Sequence, residues 1–400
     1  MATKTGVWNL QQVRDKQLQD LWSYSGAAEL WVWGSQTNTG ALGQNSHTSY
    51  SSPVQVPGNW VSANIFRHVG ENPSLHTAVV KSDGTLWTWG NNDDGELGHN
   101  NSHPVNYSSP VQVGSGTDWS TGSLIRRGTG AVKTDGTLWS WGYGNWGMLG
   151  QNESNIKRSS PVQIPGTTWS QVVGGHLNVF GLKTDGTLWA WGNNHNGKLG
   201  LNQNENDSGA SRSSPAQIPG TTWASVSATP SGGRATKTDG TLWTWGHNGY
   251  GQLGHGNDTN VSSPTQVPGT TWGTTQLTLP NGSEIQGAIK TDGTLWMWGQ
   301  NTEGQLGQNN RTTYSSPRQI PGTTWRSLTN IGNNSTYIAT KTDGTLWAWG
   351  QNDDGMNAQN NEPDNSGIDA YSSPVQIPGT AWTEMIGSAG NGGAVIKGES

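Results

Sequence analysis

The chain has 400 residues, no cysteine and a formal net charge of −6, with a pI near 5.8. Disulfides and thiolate metal sites are thereby excluded, and without a basic run no nucleic-acid partner held through its phosphates is expected. Hydrophobic residues make up only 30% and charged residues 12%, a profile close to disorder but for 24 tryptophans; many short strands joined by glycine-rich turns fit it better.

Residues 1–26 stand apart from the rest of the chain. Asn9 and Gln12 form a capping-box pattern, and Trp8 with Val13 suits a hydrophobic staple, which predicts a short helix over about residues 9–20. An isolated helix of that length is marginal in water. Its apolar residues Val7, Trp8, Leu10, Val13, Leu18, Leu21 and Trp22 therefore need a surface; a docking arm for a partner is expected, the alternative being an arm folded back on its own propeller. There is no apolar signal-peptide core and no stretch near the ~20 apolar residues of a membrane span.

From residue 27 the chain repeats itself. A Leu-Trp-x-Trp-Gly core occupies residues 30–34, 86–90, 138–142, 188–192, 242–246, 295–299 and 346–350. Its second tryptophans lie 50 to 56 residues apart, a period that signals repeat architecture. Before the core, Lys183-Thr184-Asp185-Gly186 has the chemistry of a hairpin turn, because glycine takes the positive φ that a Cβ resists. In the strand after this turn, Trp189 and Trp191 share a face and both are expected to be buried between neighbouring sheets. After the core come Gly-x-Leu-Gly, a polar loop, and Ser-Ser-Pro-x-Gln-Ile/Val-Pro-Gly-x-x-Trp, so 21 of the 24 tryptophans are locked to the repeat.

The first repeat lacks its hairpin, and the last residues supply it: Gly393-Ala394-Val395-Ile396-Lys397 matches the strand that precedes the turn elsewhere. The predicted fold is all-β, a seven-bladed propeller of four-stranded antiparallel blades over 27–400, closed by pairing of N- and C-terminal strands, with the arm at 1–26. On the Trp-Gly, Gly-x-Leu-Gly and closure motifs, residues 27–400 resemble the regulator of chromosome condensation family, seven-bladed propellers that serve as exchange factors, chromatin binders, inhibitors or lectin-like proteins. The seventh repeat departs, with Gly355-Met356-Asn357-Ala358 in place of Gly-x-Leu-Gly. The opening Gly6-Val7-Trp8-Asn9-Leu10-Gln11-Gln12 is similar to a lead-in of marine bacteriophage structural and tail proteins.

No catalytic, cofactor or metal constellation stands out. The nine histidines hold no fixed repeat position, save that His99 and His255 both follow Leu-Gly. Asp93-Asp94-Gly95 and Asp353-Asp354-Gly355 lack the alternating ligands of a calcium loop and read as turn chemistry. The informative variation is loop length. The stretch from the third tryptophan to the hairpin lysine grows to 21 residues between Trp60 and Lys81 and 18 between Trp272 and Lys290; the polar loop grows to 10 residues at 203–212 and 11 at 361–371. Trp146, in Tyr143-Gly144-Asn145-Trp146-Gly147, breaks the pattern; packing on its own blade is the first expectation, and stacking on a sugar ring or a partner protein the alternative.

The expectation is a non-enzymatic protein without cofactor. Its first form is a bacteriophage tail or fibre adhesin, present in several copies in the virion and made in the host cytoplasm without a signal peptide. Residues 1–26 would bind other virion proteins and the propeller loops a host glycan or protein. The alternatives are a protein-interaction propeller of the nucleotide-exchange or chromatin type, and a lectin-like carbohydrate-binding propeller.

Overall fold

A strand carrying two indoles on one face cannot cover them within its own sheet, so the sheets must stack. The computed structural model describes residues 30–34, 39–48, 50–57, 60, 64–65, 76–101, 105–203, 211–273, 284–331, 336–352, 370–380, 382–389 and 392–397. Among them are five four-stranded sheets, one three-stranded and two two-stranded, all antiparallel and ordered along the sequence. A representative blade runs Trp169–Gly174, Asn178–Lys183, Leu188–Gly192 and Arg212–Ile218. Counting the blade that holds both chain ends as I, the others are II (64–112), III (119–164), IV (169–218), V (223–266), VI (272–319) and VII (325–377). In blade VI an isolated bridge between Trp272 and Lys290 marks where the first strand starts elsewhere.

Two two-stranded sheets remain, Trp382–Ala389 with Gly392–Lys397 and Trp31–Gly34 with Tyr50–Gln55, which the repeat order assigns to blade I. The expected ladder between its second and third strands is not among the hydrogen-bonded pairs of the described residues. In the other blades the hairpin sets that register locally; here no turn spans the junction. The predicted helix over 9–20 lies outside the described residues.

Burial is greatest in the second and third strands and least in the fourth. The second strand of blade IV, Asn178–Lys183, is buried at every residue but the last, whereas the fourth strand of blade II, Tyr107–Gln112, is only half-buried throughout. Each blade is then locked to the one before it. Trp89, Trp141, Trp191, Trp245, Trp298 and Trp349 are fully buried. Their Nε1–H groups donate at 2.8–3.0 Å to the carbonyls of Ala41, Glu96, Met148, Lys198, Gln252 and Gln305. Each acceptor is the x of Gly-x-Leu-Gly in the preceding repeat. The flanking glycines are required by close approach: a Cβ on Gly147 would meet the Ser213 Cα at 2.5 Å, and one on Gly150 the Trp191 Nε1 at 3.0 Å.

The two indoles of each core do share a face, and both meet the third tryptophan: Trp189 and Trp191 lie 6.1 and 6.2 Å from Trp169. Their burial differs from the expectation. Only the second is sealed between blades; the first remains half-buried beneath the hairpin lysine.

Candidate interaction face

Antiparallel strands run in sequence divide the propeller into two faces. Hairpins between second and third strands, and the Pro-Gly-Thr-Thr-Trp links between blades, gather on one, the hairpin face. Turns between first and second strands, and loops between third and fourth, gather on the other, the turn face.

The hairpin face repeats the same chemistry in six blades. In blade IV the Asp185 carboxylate accepts from the Thr187 amide at 2.9 Å and hydroxyl at 2.7 Å, and Thr187 Oγ1 accepts from Trp189 Nε1 at 3.0 Å. These bonds, the threonine hydroxyl first, hold the Asp83, Asp135, Asp185, Asp239, Asp292 and Asp343 carboxyls below their ordinary pKa. Lys183 Nζ sits 4.7 Å from the centroids of both Trp169 and Trp189, a cation–π sandwich found again at Lys81, Lys133, Lys237, Lys290 and Lys341. Thr168, Thr222, Thr271 and Thr324 take φ of 65–69°, unusual for a β-branched residue. Their carbonyls accept at 2.8–3.0 Å from the amides of Thr184, Thr238, Thr291 and Thr342, each in the hairpin of the same blade.

The turn face shares its Gly-x-Leu-Gly framework but differs blade by blade in loop length and in the side chains it exposes. Three of the four enlarged connections noted in the sequence, in blades II, IV and VII, join strands whose ends lie at this face; in blade VI residues 274–283 lie outside the described residues. Trp146 stands in a short 3-10 turn, Asn145–Gly147, with φ 57°, and is 41% exposed. It does not pack away into its blade. Tyr250 holds the same repeat position in blade V and is 39% exposed. In blades II, IV, V and VI a buried asparagine orders this loop: Asn92, Asn194, Asn248 and Asn301 accept at 2.9–3.0 Å from the leucine amide of Gly-x-Leu-Gly. Blade III has Gly144 there, and its amide donates to the Ile156 carbonyl at 2.7 Å instead. The recurring Asn two residues after Trp-Gly was the signal for this wiring in the sequence.

Charge also concentrates here. Asp94 of blade II is gripped by Arg127 and Lys157 of blade III, each at 2.6 Å, so Asp93-Asp94-Gly95 forms an interblade ion cluster. Beside it, Glu96 Oε2 accepts from the Asp94 amide at 2.8 Å, and burial pushes the Glu96 carboxyl up to about 7. Arg126 and His176 stand in the first turns of blades III and IV, and Lys198 in the Gly-x-Leu-Gly loop of blade IV. Burial, then Arg126 and Lys198, hold His176 down at about 4. Burial, then Arg127, lowers Arg126, and burial lowers Lys198.

His99 and His255 turn out to be packing residues, with Nε2 at 3.0 and 2.9 Å from the hydroxyls of Thr88 and Thr244. Among the described residues no three His, Asp or Glu side chains gather as a metal site, and no helix is long and apolar enough to cross a membrane. Val7, Trp8, Leu10, Val13, Leu18, Leu21 and Trp22 lie outside the described residues, as does Gly355-Met356-Asn357-Ala358.

A family model described as RCC1-like domain matches residues 29–395. The chain belongs to the RCC1-like domain family. It is similar to the human E3 ubiquitin-protein ligase HERC2, 26% identical over 325 residues, which is 79% of this chain but only 6% of the ligase. It is also similar to the ultraviolet-B receptor UVR8 of Arabidopsis thaliana, 28% identical over 332 residues, covering 82% of this chain and 61% of the receptor. The crystal structure of Prp20p from Saccharomyces cerevisiae matches with a TM-score of 0.66 at 18% identity, over 91% of this chain and 90% of that one. At that identity the likeness speaks for the fold.

These findings overturn the bacteriophage adhesin. The proteins this RCC1-like chain resembles are eukaryotic propeller proteins, and the match runs through the repeats. The phage resemblance rested on the opening residues, which lie before the matched span. The acidic balance disfavours phosphate contacts only, so it leaves protein partners open to the exchange-factor and chromatin alternative.

Proposed function

We infer that this RCC1-like propeller is a non-catalytic protein-binding platform that presents its turn face to a partner protein. The observation that carries the reading is one-sidedness. The hairpin face repeats one hydrogen-bonding and cation–π scheme, while three of the enlarged loops, the exposed Trp146 and Tyr250, and the uneven charge fall on the other face. Tryptophan, tyrosine and arginine are the residues that dominate protein–protein contacts, and rigid scaffolds carry recognition on their variable loops. Structures of the same fold agree in kind: Prp20p is described with its binding to Gsp1p and histones, and yeast RCC1 has been solved bound to Kap60.

The test places a photo-crosslinking amino acid at Trp146 or Tyr250 and, separately, at Thr167 or Thr270 on the hairpin face. Discrete protein adducts from the turn-face positions alone are expected. Equal adducts from both faces, or adducts only from the hairpin face, would overturn the reading.

A further inference from the structure

Arg126, His176 and Lys198 form a group of cations and a neutral imidazole without a carboxylate. The turns that carry Arg126 and His176 are in direct contact: the Gly174 amide donates to Ser123 Oγ at 3.0 Å, and a Cβ on Gly174 would lie 2.9 Å from the Ile125 Cα. Lys198 joins from the loop that locks blade IV to blade V, where its carbonyl accepts from Trp245. All three side chains are half-buried. The neighbouring cations are already matched, Arg127 and Lys157 by Asp94 and Arg158 by Glu153. No ion pair is formed by Arg126 or Lys198 among the described residues, and Arg126 Nε is buried without a hydrogen-bond partner. His176 feels burial and then the charges of Arg126 and Lys198, Arg126 feels burial and then Arg127, and Lys198 feels burial alone, with no acid acting on any of the three.

Holding a guanidinium and an ammonium half out of water with no ion-pair partner is unfavourable unless an anion offsets it. We propose that Arg126, His176 and Lys198 form an anion-binding subsite on the turn face that takes the carboxylates of an acidic segment of the partner protein. This rests on the protein-binding reading above. A guanidinium offers a planar fork to a carboxylate and the ammonium a second point of attachment, so side chains from two blades fix the segment across their junction. Trp146, in the loop of blade III that packs on blade IV, belongs to the same two-blade sector. The chain as a whole carries −6, so a cationic patch on it selects among partners by charge.

The probe is a fluorescent peptide of about eight glutamates, with an equal glutamine peptide as control, followed by anisotropy at low salt with the full chain. The expected result is binding of the glutamate peptide alone. Arg126→Gln with Lys198→Gln weakens it by roughly tenfold or more. Arg311→Gln, an exposed cation on the same face in blade VI, changes it by no more than about twofold. Inorganic phosphate in competition separates the two sources of anion: displacement by phosphate at low concentration with no glutamate binding would make the site a phosphate site and overturn the proposal. So would equal losses in the Arg311 variant, which mean diffuse charge. A melting temperature lowered in the double variant with peptide binding unchanged would assign the cations to an acid of the chain itself, again against the proposal. Turn-face crosslinks that persist in the double variant while glutamate binding never appears would sink this subsite and leave the platform standing.

Discussion

The two faces of the propeller use the same residue types for opposite purposes. On the hairpin face Trp189, Thr187, Asp185 and Lys183 satisfy one another within a single blade. On the turn face Trp146 is exposed, and Arg126 and Lys198 form no ion pair among the described residues. Backbone strain follows the same division. Thr168 takes a φ of 68°, and its carbonyl meets the Thr184 amide at 2.8 Å, so the strain serves a hairpin contact. Trp146 takes a φ of 57° and leaves its indole in solvent. The hairpin face thus repeats one closed side-chain scheme in six blades, whereas the turn face shares the Gly-x-Leu-Gly seam but varies in the side chains it exposes beside it.

That contrast can be broken most strongly at the seam between blades. Trp191→Ala removes a fully buried indole and its bond to the Met148 carbonyl, and should cost about 3–5 kcal/mol in urea unfolding. A loss under ~1 kcal/mol would mean that the loops do not lock the blades.

Next in size is a pH effect beside the ion cluster. Glu96 has a folded pKa raised from 4.5 to about 7, chiefly by burial. A raised acid contributes stability that is full below about pH 4.5, declines as the pH rises toward about 7 and is gone above it, on the order of 3 kcal/mol in all. Blades V and VI carry Gln252 and Gln305 in the same slot, accepting from the amides of Tyr250 and Glu303. Glu96→Gln should therefore remove this slope and raise stability at pH 8. An unchanged pH profile in that variant would contradict the assignment.

The strain at Trp146 is smaller. Asparagine tolerates the left-handed region, as Asn196 does at the equivalent place with φ 60°. Trp146→Asn should stabilise the chain by about 1 kcal/mol while weakening partner crosslinking or peptide binding. Destabilisation would show that the indole packs on its own blade. Smallest is the sandwich on the opposite face: Lys183→Met should cost about 0.5 kcal/mol, with binding unaffected.

Much of the ring was legible in the sequence because its signals are local. The Asp-Gly dipeptide fixes a hairpin, alternation puts Trp189 and Trp191 on one face, and the period counts the blades. The interblade seam was not, because its partners are distant in sequence: nothing local ties the Met148 carbonyl to Trp191 or Gly147 to Ser213. The same distance hid the Asp94 cluster and the convergence of Arg126 with His176 and Lys198, which depends on two turns meeting across a blade boundary. Unequal burial of Trp189 and Trp191 also escaped, since both lie on one face and only the neighbouring blade's loop distinguishes them.

The separation of the faces is tested most directly by unfolding two triple variants side by side in denaturant. One carries Thr137→Val, Thr187→Val and Thr241→Val, which cut the Asp–Thr–Trp relay in blades III, IV and V. The other carries Trp146→Ser, Tyr250→Ser and Lys198→Gln on the turn face of the same blades. The hairpin-face variant should lose more than about 2 kcal/mol, and the turn-face variant should stay within about 0.5 kcal/mol of the wild type. Equal losses, or a larger loss from the turn face, would contradict the division of labour.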